Sequence, residues 1–239
     1  MKILVTGHEG FIGSHVSEHL RSIGYEVEGL SFPDDIGDFK PDKIYDVVIH
    51  LAAYAALRDS IRNPDKFWEN NVVKSQPIFD YCRSYGIRCL YASSSAVHEW
   101  WINPYAITKK VNEVQAPPNS VGMRFFNVWA EKDSRSDMLY RMLQENTAKY
   151  LTRHRRDWIH VHDVARAICF LMPDKFRGVI DVGTGKTTSV LELAEKMGKG
   201  HLPIKEDTPG ERDETCADTT ELTKLGWHPT INILDFASP

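Results

Sequence analysis

The stretch that most constrains the fold lies at the amino terminus. Lys2-Ile-Leu-Val-Thr6 is a short apolar run, Gly7-His-Glu-Gly-Phe-Ile-Gly13 follows at once, and SHVSEHLRSIG comes next, with Phe11, Ile12, Val16 and Leu20 at helical spacing. This is strand, glycine turn, helix. Each glycine has a physical reason to be there. One makes the tight turn, one lets the backbone approach a pyrophosphate, and one lets the helix pack on the strand, while the first helical N–H groups stabilise the anion. The placement directly between a strand and an amphipathic helix is the context that separates a dinucleotide cradle from an ordinary turn. Gly7, Glu9, Gly10, Phe11, Ile12 and Gly13 are therefore candidate cofactor contacts.

Tyr25-Glu-Val-Glu-Gly-Leu30 is expected as the second strand, at whose end an Asp or Glu commonly bonds the adenosine ribose. Here that position holds Ser31. No Arg or Lys stands nearby to pair a 2'-phosphate, and Glu9 would repel one, so electrostatics favour NAD over NADP. A second glycine-bearing stretch, Gly183-Thr-Gly-Lys-Thr-Thr-Ser-Val190, resembles an ATPase phosphate loop at first sight. That loop needs a glycine five residues before the Gly-Lys-Thr, and the position is Ile180. The bare-backbone arc is missing, and the ATPase reading is set aside.

Further strands are expected at 46–51, 87–92, 120–126 and 179–182, with a helix from Pro64 to about Tyr85. Their alternation with helical stretches argues for an α/β fold: a Rossmann-type, doubly wound parallel sheet covered on both faces. After Phe126 the alternation becomes irregular, as in a small, shortened C-terminal substrate-binding lobe. The expected domains are residues 1–126 with about 156–182 for the cofactor, and about 127–155 with 183–239 for the substrate. A net charge of -4 and a pI near 6.2 give no general attraction to nucleic acid or to an anionic membrane. No apolar run approaches the roughly 18 residues of a membrane span, and MKILVTG is a strand rather than a signal peptide, so a cytoplasmic protein is expected. Cys82, Cys89, Cys169 and Cys216 are scattered and imply neither a disulfide framework nor a metal site.

Three downstream stretches belong together: Tyr91-Ala-Ser-Ser-Ser-Ala-Val97, Asn103-Pro-Tyr-Ala-Ile-Thr-Lys109 and Arg124-Phe-Phe-Asn-Val128. A Tyr and a Lys four apart share one helix face, so the ammonium favours the phenolate of a group with an unperturbed pKa near 10. With VTGHEGFIGSH, DVVIHLAA, NNVVKS, RDWIHVHDVA and DVGTGKTTSV in the same order, the chain resembles the extended short-chain dehydrogenase/reductase family, specifically nucleotide-sugar epimerases and dehydratases.

The resemblance implies Tyr105 as catalytic base, Lys109 as its cationic partner and ribose contact, and Ser94 as the hydroxyl on the reacting sugar oxygen, beside Ser95. It also implies cofactor contacts from Leu51, Ala52 and Ala53, a bracing Asn71, and sugar-nucleotide contacts from Asn127, Arg156 and, more weakly, Arg212. Adenine contacts are implied at Asp35-Ile36 or at Asp38-Phe39. Dehydratases of this family carry an Asp-Glu pair after the catalytic hydroxyl and 3,5-epimerases a Cys two places after it; here those places hold Ser95 and Ala96. The simplest surviving chemistry is 4-epimerisation of a nucleotide-diphosphate sugar, with NAD as cofactor and a homodimer as assembly. Alternatives are an NADPH-dependent keto-sugar reductase, a sugar-nucleotide dehydratase, or a non-catalytic dinucleotide-binding protein.

Two departures from the family pattern stand out. Only FPDDIGDFKPDKIY joins Ser31 to Asp46, where a helix and a strand are normal, and only His98-Glu-Trp-Trp-Ile102 joins Val97 to Asn103. Trp100 and Trp101 either stack on the sugar or base or pack into the resulting gap, and packing is the favoured expectation.

Overall fold

The computed structural model describes residues 1–239 apart from Phe32, Asp42, Lys43, Asp133, Asp137, Asp174, Lys175, Asp207 and Pro239. Along the chain run β1 (Lys2–Thr6), α1 (Phe11–Ser22), β2 (Glu26–Leu30), β3 (Val47–His50), α2 (Leu57–Arg62), α3 (Pro64–Trp68), α4 (Gln76–Tyr85), β4 (Arg88–Ser94), α5 (Pro104–Gln115) and β5 (Ser120–Phe125). There follow β6 (Asn127–Trp129), α6 (Leu139–Gln144), β7 (Arg155–His160), α7 (Val161–Leu171), β8 (Gly178–Val182), β9 (Thr187–Ser189), α8 (Val190–Lys196), β10 (Glu214–Thr215) and α9 (Thr220–Leu225). The chain divides into two compact units, 1–124 with 165–180 and 125–164 with 181–239.

The first unit is built on a six-stranded sheet in the order β2-β1-β3-β4-β5-β8. Strands β1, β3 and β4 are apolar without alternation because helices cover both faces; Ile3, Val48, Ile49 and Leu90 are all fully buried. The strand order reverses at β1, where Thr6 is the register partner of Leu30 on one side and of His50 on the other. The carboxyl ends of strands at such a reversal are where a ligand is held in this architecture. Among the described residues β2 is the edge of the sheet, and the short Ser31–Asp46 connection forms only a one-turn 3-10 helix at Ile36–Asp38. Phe39 fills in for the absent helix, its ring edge-on to Tyr81 at 5.4 Å.

The helix expected from Pro64 to Tyr85 is interrupted. Between α3 and α4 the residues Glu69–Val73 form a π-helical turn, one residue wider than an α-turn. The tryptophan expectation also fails: Trp100 and Trp101 are 42% and 63% exposed on the 3-10 segment Ser95–Ile102, edge-on to each other at 6.0 Å.

The second unit has a small sheet in the order β10-β7-β6, with β9 antiparallel on β7. Strand β7 is thus taken up by these partners, whereas the sequence grouped residues from about 156 with the cofactor domain. Trp129, Tyr140, Leu143, Trp158 and Leu193 form its core. At the middle of β7 the fully buried Asp157 accepts hydrogen bonds from Thr184 N and Oγ1 (both 2.8 Å), Gly185 N (2.8 Å) and Ala217 N (3.1 Å). The GTGK turn therefore closes on a carboxylate of the protein itself. A Cβ on Gly183 would stand 2.7 Å from Asp157 Oδ2, so only glycine permits this wrap. Among the described residues no helix is long and apolar enough to cross a membrane.

Candidate active site

The glycine turn is built around contacts that exclude a side chain. Gly7 sits at φ +71°, and a Cβ there would lie 2.8 Å from Ala52 N; a Cβ on Gly13 would lie 2.0 Å from Gly7 O. Gly10 N donates to Gly7 O at 2.9 Å, and Gly10 caps α1 with no side-chain hydrogen bond and no acidic residue in the first turn. The opening N–H groups of a helix lack intrahelical acceptors, so the start of α1 at Phe11, Ile12 and Gly13 suits an external anion. The same residues fit the pyrophosphate of a dinucleotide. Leu51, Ala52 and Ala53 follow β3 directly, and Ala52 lies against Gly7.

At the end of β2, Ser31 Oγ accepts from Glu9 N at 3.1 Å and lies 2.9 Å from His8 Nδ1. The His8 ring covers Gly29, where a Cβ would come within 2.2 Å of it. Asp35 caps the 3-10 turn by accepting from Gly37 N at 2.8 Å and pairs with Lys74. The hydrogen bond from Lys74, followed by that from Gly37, holds its carboxyl below the usual carboxylate range. Ile36 is buried. A cavity of about 510 Å³ beside β2 is lined by Glu28, Asp34, Asp35 and Asp38, with Lys40 the one cation among the described residues, an unfavourable setting for a 2'-phosphate.

Helix α5 starts where Asn103 accepts from Ala106 N at 2.8 Å and Pro104 occupies the first turn. Tyr105 and Lys109 lie one turn apart on its buried side, with Nζ 6.0 Å from the phenol ring centroid. Lys109 Nζ donates to Ala92 O at 2.9 Å, and burial pushes its pKa down to about 8. Near neutral pH the ammonium survives, close to its limit. Strand alternation separates the serines that end β4: Ser93 donates to Glu113 Oε1 at 2.7 Å, while Ser94 Oγ accepts from Ala96 N at 3.2 Å. Ser95, next in line, is half-buried.

Asn71 is fully buried in the π-turn. Its Oδ1 accepts from Tyr54 N (2.8 Å), and its Nδ2 donates to Tyr54 O (2.9 Å) and to Thr108 Oγ1 (3.2 Å). The extra residue of a π-turn is what lets one amide face both a loop backbone and α5.

In the second unit, Asn127 opens β6 opposite Trp158, two residues along β7 from Arg156. The Arg156 guanidinium donates to Arg155 O (3.0 Å) and Asp213 O (3.1 Å), lies 2.6 Å from His154 Nδ1, and is 3.5 Å from Glu211. Burial lowers its pKa, and the charge of Arg212 acts in the same direction, which places the two arginines in one neighbourhood.

Sequence reasoning missed several supports. Ser60, fully buried, accepts from Tyr105 N at 3.1 Å and so holds the first turn of α5. Glu113 receives a two-pronged bond from Arg124 (2.7 and 2.8 Å) that ties α5 to β5. The position of Glu113, one turn after Lys109, was the available signal for the second.

Residues 3–183 match the model of the NAD dependent epimerase/dehydratase family. The chain is 28% identical to a UDP-glucose 4-epimerase of Streptomyces lividans, over 96% of this chain and 92% of the relative. That alignment spans 302 positions, more than the 239 residues present, so the likeness is interrupted by segments this chain lacks. Among solved structures it is similar to a UDP-glucuronic acid 4-epimerase from Bacillus cereus in complex with UDP-glucuronic acid and NAD (TM-score 0.85, 24% identity, 98% of this chain and 96% of that one). It is also similar to an NAD-dependent NDP-hexosamine 5,6-dehydratase of tunicamycin biosynthesis (TM-score 0.87, 23% identity, 98% and 94%).

Proposed function

Since the chain belongs to the NAD-dependent epimerase/dehydratase family, an enzyme family whose cofactor is NAD, we propose that it is a nucleotide-sugar 4-epimerase working through a transient 4-keto sugar. The observation that carries this reading is the segment after Ser94: Ser95, Ala96 and Val97 supply no acid or base. Elimination of water, or proton exchange beside a ketone, needs such a group. Oxidation and re-reduction at one carbon does not.

Gly7 to Gly13 and Leu51 to Ala53 hold the cofactor, whose nicotinamide supplies a hydride acceptor and donor. Tyr105 takes the proton of the sugar 4-hydroxyl and returns it after the keto sugar has turned over in the site. Lys109, fixed by Ala92 O, stabilises the phenolate through its charge. Ser94 accepts from Ala96 N and directs its own hydrogen to the sugar oxygen. Arg156 and Arg212 face the diphosphate, and Asn127 the sugar; a guanidinium fork suits paired oxyanions.

The protein acts as a homodimer through α5, on which Ile107 and Val111 are half-buried and Val114 is 77% exposed, an apolar stripe at helical spacing. The test is NMR of products from UDP-, GDP-, CDP- and dTDP-sugars in deuterated water. Inversion at C4 without deuterium on carbon is expected. Loss of water, or label at C3 or C5, overturns the reading.

A further inference from the structure

Thr6 and His50 end neighbouring strands beneath the glycine turn, and both are buried. Ala52 N donates to Thr6 Oγ1 (3.2 Å), which is 2.7 Å from His50 Nδ1; on its other side His50 Nε2 is 2.9 Å from Ser75 Oγ. Ser75 Oγ donates to Asn71 O at 2.9 Å. The proton positions follow from what each group can do. A carbonyl only accepts, so the single hydroxyl hydrogen of Ser75 is committed to Asn71. His50 Nε2 must then be the donor to Ser75. A ring protonated on both nitrogens would bury a second cation beside Lys109, so Nδ1 is bare and accepts from Thr6. The chain runs one way: Ala52 N–H, Thr6, His50, Ser75, Asn71. From Asn71 the amide goes on to Thr108 Oγ1 (3.2 Å), which donates to Tyr105 O (2.8 Å).

We propose that His50 is a positioning residue: as the Nε2–H tautomer it is the middle link that holds the dinucleotide cradle and the Tyr105 turn of α5 in one register. The last link rests on the reading of Tyr105 as base; the others rest on the cofactor alone. A break on either side of the ring leaves a buried polar group unsatisfied, so the network acts as a unit. The charged neighbour is Lys109, and the Phe79 ring stands edge-on to the imidazole at 5.6 Å.

The test uses the whole protein and no sugar nucleotide, so its outcome is independent of the epimerase reading. In long-range proton–nitrogen NMR spectra, His50 is expected as the Nε2–H tautomer without change from pH 8 to pH 5. An Nδ1–H ring, or one that titrates in that window, overturns the proposal. His50→Gln keeps one acceptor and one donor; His50→Phe keeps the ring and neither. By calorimetry, NAD affinity is expected to fall at least about tenfold in His50→Phe and less than about threefold in His50→Gln, the sizes of a lost and a retained buried hydrogen bond. Equal affinity in the two variants overturns it. If His50→Phe does not fold, Ser75→Ala cuts the same chain beyond the ring and is expected to lower NAD affinity about three- to fivefold; unchanged affinity is the contrary result.

Discussion

The two glycine turns of this molecule differ in what they enclose. The turn at Gly7 to Gly13 opens onto α1 with no acidic residue in its first turn and no side-chain cap, while the turn at Gly183 to Gly185 gives its N–H groups to Asp157. Both follow a buried strand, and both need glycine where another backbone or carboxylate comes close. A glycine pattern marks close approach; whether the protein has already supplied the anion decides if a ligand can. Buried charge divides likewise. Asp157 is satisfied by the backbone that wraps it, whereas burial disfavours the ionisation of Lys109, the charge assigned above to the proposed chemistry.

The largest expected effect tests that division. Lys109→Met should lower turnover about 10³-fold, since it removes the charge opposite the phenolate. The drop from 10.5 to about 8 corresponds to about 3 kcal/mol of lost stability at pH 7. The sign follows from linkage: with the folded pKa depressed, this cost is fully present below about 8 and disappears as pH rises through the unfolded value of 10.5. The variant should therefore melt about 6 to 12 °C higher than the parent at pH 7, and the gain should vanish above about pH 10.5. A lower melting temperature at neutral pH would place Lys109 with Asp157 among structural charges.

Asp157→Ala should do the reverse, lowering stability in urea by about 3 kcal/mol because three backbone donors lose their acceptor, with NAD affinity unchanged. Gly13→Ala should weaken NAD binding about 100-fold, or about 2.7 kcal/mol, because the added carbon meets Gly7 O. Calorimetry reads this directly. The smallest effect is expected from Lys186→Ala: this exposed side chain should change neither NAD affinity nor stability by more than about 0.5 kcal/mol, whereas a phosphate-loop lysine would matter greatly.

What was legible in the chain was whatever repeats. Apolar runs placed β1, β3, β4, β5 and β8 to within a residue or two, and the Tyr105–Lys109 spacing marked a helix that is α5. The π-turn at Asn71 escaped because one extra residue per turn leaves no trace in a 3.6-residue pattern. The resemblance singled out Ser94 among the three serines, and only the fold supplied a physical reason to separate Ser93, which strand alternation sends towards Glu113. His50 and Ser75, 25 residues apart, look like unrelated polar residues until the fold closes. The indoles of Trp100 and Trp101 went outward because large apolar side chains follow the space available, and a shortened loop leaves little.

The missing strand beyond β2 leaves a further mark. Among the described residues no strand pairs the outer side of β2, and such an edge is the usual beginning of edge-to-edge aggregation. Glu26 and Glu28 alternate onto one face of this five-residue strand, so two such edges would bring carboxylates together. Like charges brought face to face oppose such pairing, so the shortened connection leaves an edge whose own side chains disfavour a second copy of itself.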